Sequence, residues 1–282
     1  MRNTQLKIAD FCIDVLCQFD FDLEVGYIPF VNESPTGNPD LTIECKPGLK
    51  DVEIDSLPLA FRAENEEQRF YDIYTGEDNE LVFVIYDQQN RSDIQQIGLL
   101  SADLKKWTLY IDDGFPLKYP FGPIMLHYLT LQTNAVMMHA SCAFDGVKGR
   151  MFTGFSGVGK STMSMLWSKA GSMIVNDDRL IIRKQNDQYW VHNTPMYYSD
   201  RPKKTVLNGI FLISHAPENR IKKLSGVEAL SRARAFSIQN NFDRRFVEHS
   251  LNVFSELVEK VNVYDLGFVP DASVVTFIKE NE

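Results

Sequence analysis

The stretch Gly154-Phe155-Ser156-Gly157-Val158-Gly159-Lys160-Ser161-Thr162 constrains this chain more than any other part of it. It fits the pattern G-x-x-x-x-G-K-[ST] through Gly154, Gly159, Lys160 and Ser161. With ordinary glycine, lysine and hydroxyl-residue frequencies, a chain of this length matches by chance about once in a hundred. The flanks suit a strand entering the loop at residues 151–153 and a helix leaving it at 161–169. In that frame glycines let the loop curl, and successive backbone N–H groups converge on phosphate oxygens. The helix start adds the positive end of its dipole. Lys160 then reaches the β- and γ-phosphates of ATP or another nucleoside triphosphate, and Ser161 sets its hydroxyl on Mg²⁺. The plain alternative is a glycine-rich turn with an incidental lysine.

Around this loop, strand and helix patterns alternate. Residues 137–144 and 150–153 read as strands joined by an Asp145-Gly146 turn, and residues 173–175, 179–184, 190–192, 209–214 and 261–264 as further strands. Helical periods cover 124–133, 228–235, 244–260 and 272–279. The alternation predicts an α/β domain. Met163, Met165, Leu166 and Trp167 read as core packing on the helix after the loop.

The strand at 173–175 runs into Asn176-Asp177-Asp178. Two adjacent carboxylates at the end of an apolar strand are costly without a cation. On a strand, neighbours face opposite ways, so the two take different jobs. One suits Mg²⁺; the other suits the proton of an attacking hydroxyl. An Asx turn is the structural alternative. His139 opens the strand before the loop and is either a packed or surface residue or a neighbour of the γ-phosphate.

Taken in order, His139, the loop 154–162 and Asp177-Asp178 resemble the catalytic core of the HPr kinase/phosphorylase family, itself similar to the phosphoenolpyruvate carboxykinase nucleotide-binding core. The resemblance covers about residues 135–215. It implies a P-loop kinase domain of HPr-kinase/PEP-carboxykinase-like fold. It implies Asp177 as the base that activates a serine hydroxyl, Asp178 as the Mg²⁺ ligand with Ser161, and His139 beside the transferred phosphoryl group. With Lys160 these are the candidate catalytic and metal residues. The family's Arg-Gly-rich segment has no recognisable counterpart; Arg201, Lys203 and Lys204 stand at its place, either as phosphate or substrate contacts or as a solvated basic loop.

The first 115 residues look different. Residues 41–45, 81–86 and 107–111 are short β-prone runs, and turn signals lie at 36–39, 46–48 and 76–79. They predict an antiparallel, meandering β-rich module at 1–115, followed by the kinase-like domain at 116–282. The chain is α+β overall. Its net charge of −9 also divides there. Residues 1–115 carry 9 basic and 23 acidic side chains, a net −14; the remainder carries 20 and 15, a net +5. The acidic total argues against a nucleic-acid partner.

Four cysteines without a C-x-x-C pair, a start interrupted by Asp10 and Asp14, and no long apolar run predict a chain of the reducing cytoplasm without a membrane partner. Arg244-Arg245 opens the longest helix against its dipole and reads as surface. Asn193-Thr194-Pro195 reads as a structural loop. The function these features predict is Mg²⁺-assisted transfer of phosphate from ATP to a hydroxyl, in particular serine of a peptide or protein. The alternatives are a non-catalytic nucleotide-binding regulator and PEP-carboxykinase-like small-molecule chemistry. An oligomer is compatible with these features.

Overall fold

A computed structural model describes residues 2–35, 37–49, 52–90, 93–240 and 242–282. Thr36, the first residue of one expected turn, lies outside the described residues. The chain divides into two compact units. One holds Met1–Gln132 and Pro195–Arg201, the other Thr133–Thr194 and Pro202–Glu282.

The first unit is one large sheet. Its strands are β1 (Arg2–Ile8), β2 (Phe11–Cys17), β3 (Leu41–Lys46), β4 (Leu59–Glu64), β5 (Arg69–Thr75), β6 (Leu81–Tyr86), β7 (Ile94–Leu100) and β8 (Lys106–Tyr110). They lie in the order β1-β2-β3-β8-β7-β6-β5-β4. From β4 to β8 the sheet is the expected antiparallel meander. At β3 it is not: β2–β3 and β3–β8 are parallel, because long connections carry the chain back to the same end. The sheet is therefore mixed rather than antiparallel throughout.

Helix α1 (Phe121–Thr130) follows. It begins three residues before the expected 124 because Pro123 is at home in a first turn, where its missing N–H costs nothing. The helix was expected on the far side of a boundary at 115/116, yet it packs in the first unit. Phe121 and Tyr128 on α1 and Phe83 on β6 close around Trp107 on β8, with Trp107–Phe83 centroids 4.9 Å apart and Trp107–Phe121 5.0 Å apart, edge-on. Such packing is worth more than the area it buries. The segment Pro195–Arg201 also belongs here. The chain at Gly26 approaches Met196 so closely that a side-chain carbon would lie 1.6 Å from the Met196 carbonyl oxygen, so only glycine fits.

The second unit is a sheet clad on both faces. Its elements are β9 (Ala135–Phe144), β10 (Gly149–Thr153), α2 (Lys160–Lys169), β11 (Met173–Asn176), β12 (Arg179–Gln185), β13 (Gln188–Asn193), β14 (Lys204–His215), β15 (Arg220–Leu224), α3 (Gly226–Arg234), α4 (Arg244–Lys260), β16 (Asn262–Phe268) and α5 (Ser273–Asn281). The strands run β10-β9-β12-β13-β14-β16-β15, with β11 also on β9 and β10 also on β14. Strands β10, β14 and β16 are mutually parallel. Along them the side chains alternate between two cores. Phe152, Phe211 and Phe268 join Met163, Leu166 and Trp167 of α2 and Val274 and Ile278 of α5. Met151, Ile210 and Val263 join Ala229 of α3 and Phe254 and Leu257 of α4. Among the described residues, no helix is long and apolar enough to cross a membrane.

Candidate phosphate site

The β10–α2 loop, strand β9 and the β11–β12 bend build the site in the second unit. Strand β10, buried along its whole length, ends at Thr153, and the loop 154–159 leaves it for α2. Gly157 and Gly159 have φ of +78° and +105°, values that cost a residue with a side chain strain. At Gly159 there is a second reason, since a Cβ would meet the Phe268 ring at 2.9 Å. No side chain caps the start of α2, so its first N–H groups remain directed at whatever lies in the loop. The crown, Phe155 to Gly157, is exposed, as is Ser161, while Gly154 is buried, Val158 and Thr162 are half-buried, and Lys160 is buried. Lys160 Nζ donates to the Gly154 and Phe155 carbonyls, each at 3.1 Å, which holds the ammonium across the loop mouth.

Strand β9 anchors the loop from one side. The Thr153 hydroxyl donates to the His139 carbonyl at 3.0 Å, and the Ser141 hydroxyl to the Lys160 carbonyl at 3.1 Å. His139 sits opposite Arg179 in the β9–β12 register, and the Ala140 N–H donates to the Asp178 carbonyl at 2.9 Å. Asp178 is thereby brought to the loop. Its carboxylate lies 3.6 Å from His139 Nε2 and accepts from Arg179 Nε at 3.1 Å.

These groups set one another's charge. Burial pushes the Lys160 ammonium below the ordinary lysine range, and Asp178 partly restores it. Burial and the Lys160 charge push His139 below the ordinary histidine value, against a smaller pull from Asp178. His139 is therefore neutral near pH 7 and offers a nitrogen lone pair.

The aspartate pair lies on the bend between β11 and β12, past the strand end, so strand alternation does not separate the two. Their connections do. Asp178 is paired, whereas among the described residues the half-buried Asp177 carboxylate makes no hydrogen bond or ion pair; its N–H is held by the Asn176 side-chain oxygen at 2.9 Å. The bend itself is tied, with Asn176 Nδ2 and the Thr194 hydroxyl both donating to the Arg179 carbonyl.

The three basic candidates have different engagements. Arg201 belongs to the first unit. Lys203 Nζ donates to the Ile174 carbonyl at 3.0 Å, bracing β11. Lys204 opens β14 with its ammonium 5.2 Å over the Trp190 ring. Arg244 and Arg245 lie at the surface as expected, paired with Glu248 and with the helix-capping Asp243. Met163, Leu166 and Trp167 are core, but Met165 is exposed. One neighbour of the loop went unread: His215, at the end of β14, whose Cε1 would lie 3.6 Å from a Cβ on Gly159. It stands more than fifty residues beyond the loop in sequence, and only the parallel β10–β14 pairing brings it there.

No family model matches the sequence, and no curated protein matches it. One solved structure to which the chain is similar is the Hpr(Ser) kinase/phosphatase from Coxiella burnetii. That likeness has a TM-score of 0.31 at 11% identity, over 51% of this chain and 91% of the other.

Proposed function

We propose that the chain binds a nucleoside triphosphate with Mg²⁺ and transfers its γ-phosphoryl group to a hydroxyl, that of serine in a peptide or protein. The observation that carries this reading is the loop 154–161: positive-φ glycines, an uncapped helix start and a buried lysine, with His139 and Asp178 converging on the same side. A structural turn has no use for a lysine held at the mouth of a loop or for a carboxylate presented beside it.

The donor set suits Mg²⁺. Ser161 and Asp178 offer hard oxygens, which that ion prefers. Among the described residues no cluster of three or more His, Cys, Asp or Glu is arranged to hold a metal, so a cation here would share its ligands with phosphate, as Mg²⁺ commonly does. Held by Ser161 and Asp178, Mg²⁺ would supply charge neutralisation to the phosphate being transferred.

The chain's own groups do the rest. Backbone N–H groups of the loop and Lys160 hold and neutralise the phosphate oxygens. Asp177 accepts the proton of the attacking hydroxyl as its oxygen bonds to γ-phosphorus and the bond to the β,γ-bridging oxygen breaks. Asp177 suits this role because, among the described residues, no cation already engages its carboxylate. Neutral His139 steadies Asp178. The test is Asp177→Asn. Unchanged Mg·ATP affinity with phosphate transfer reduced at least a hundredfold, read by mass spectrometry of candidate peptides, is the expected result. A wild-type chain that binds ATP tightly but transfers to no hydroxyl and hydrolyses nothing makes the protein a nucleotide-binding regulator instead.

A further inference from the structure

The parallel strands β10, β14 and β16 finish at one edge of the sheet, and each contributes a different piece there. The phosphate loop leaves β10, β14 ends at His215 and β16 ends at Phe268, which pair directly across the register. Their rings stack, centroids 5.2 Å apart at 28°. Phe268 is fully buried and His215 is exposed. Gly159 packs against both rings. The imidazole is therefore held flat on a rigid support at the foot of α2, with its remaining surface in solvent. The turns beyond these strands are tied together as well. Asn219 accepts from the Val269 N–H at 2.8 Å and donates to the Ser273 hydroxyl at 2.9 Å.

We propose that His215, backed by Phe268, is the stacking surface for the base of the nucleotide whose phosphates the loop holds. The inference rests on the nucleotide reading above and adds the place and manner of base recognition. Ligands of open sheets with parallel strands lie beyond the carboxyl ends of those strands. Strand β10 has one neighbour on each side. On the β9 side stand His139 and Asp178, the groups suited to the reacting phosphate. A nucleotide with its γ-phosphate toward that side carries its nucleoside toward β14, where the exposed, pre-stacked ring is His215. Stacking on a ring face is tolerant of base identity. The site therefore takes ATP and GTP alike.

The experiment compares Mg·ATP with inorganic tripolyphosphate, which has the phosphates and no base, by calorimetry on wild type, His215→Ala and His215→Phe. His215→Ala weakens ATP roughly ten- to hundredfold and leaves tripolyphosphate unchanged, while His215→Phe retains ATP affinity. Equal losses for ATP and tripolyphosphate would place His215 on the phosphates or the loop and overturn the inference, as would an unaltered ATP affinity in His215→Ala. Wild type that binds neither compound overturns the nucleotide reading itself, and this inference with it.

Discussion

The two units are built on sheets of similar size and differ in what lies at the strand ends. The first has 24 acidic and 11 basic side chains, the second 14 and 18. The first has parallel strands too, at β2–β3–β8, but its described connections between them carry no α-helix. The second puts α2 straight after β10, and the same edge collects the ends of β14 and β16. Parallel pairing alone makes a sheet; parallel pairing followed by a helix aimed back across the edge makes a place for anions. The basic surplus falls in the unit that has such an edge.

Five experiments break or sharpen this contrast. The largest effect belongs to Trp107→Ala, which empties the aromatic centre of the first unit and costs about 3–5 kcal/mol. Two unfolding transitions in denaturant, of which only one moves, are expected; a single transition moving as a whole would show that the units do not unfold separately. Next is Lys160→Ala, which removes the loop's cation from the second unit. A loss of about 10²–10³ in phosphate transfer, with the first unit's transition unmoved, is the expected outcome; undiminished Mg·ATP binding would undo the phosphate-site reading.

A smaller effect follows from Arg150, a buried guanidinium at the start of β10 that bonds Asp145 at 2.8 Å and Glu282 at 2.6 and 2.8 Å and lies 4.7 Å over the Trp167 ring. Glu282→Gln leaves it half-paired, at about 1–3 kcal/mol to the second unit alone. Acid probes the same network. Burial pushes Asp145 up, but the Lys148 and Val147 N–H groups and Arg150 outweigh it and hold the carboxyl at about 2. A lowered carboxyl contributes stability above its unfolded value, near ~4, and loses it as pH falls toward the folded one. The second unit's midpoint should therefore decline below about pH 4, less so in Glu282→Gln; a midpoint level down to pH 2 would contradict this. The smallest effect concerns the acidic unit. A basic peptide should bind the full chain better than an acidic one, by an amount that fades as salt rises. A preference for the acidic peptide, indifferent to salt, would reverse the meaning of the charge division.

Much of the second unit was legible because its signals are local. The loop, the helix after it, and α4 at its full span all follow from short-range pattern. The first unit hid more. Strands β1 and β2 carry Gln5 and Asp14 at paired positions on the polar face, where the two satisfy each other, Gln5 Nε2 donating to Asp14 at 2.7 Å while Asn32 donates to Gln5. Their turn is Ala9-Asp10 with both φ positive, a pair that gives none of the usual glycine or asparagine signal. In the site, His139 and Asp178 could be proposed from spacing, while His215 could not, because a long crossover puts its neighbours out of reach of any local pattern. The basic triplet was open between two readings in sequence, and its members have separate engagements: Lys203 braces β11, Lys204 lies over Trp190, and the chain passes from one unit to the other between Arg201 and Pro202.

That passage has a consequence for anyone wishing to work with half of this molecule. The chain changes unit three times, after Gln132, Thr194 and Arg201, so no single cleavage yields either part whole. A fragment ending at 115 loses the helix that closes over Trp107, and one ending at 132 loses the strip against which Gly26 is pressed. The first unit has to be cut out in two pieces and rejoined with a short artificial bridge. The second must be freed of a seven-residue loan before it stands alone.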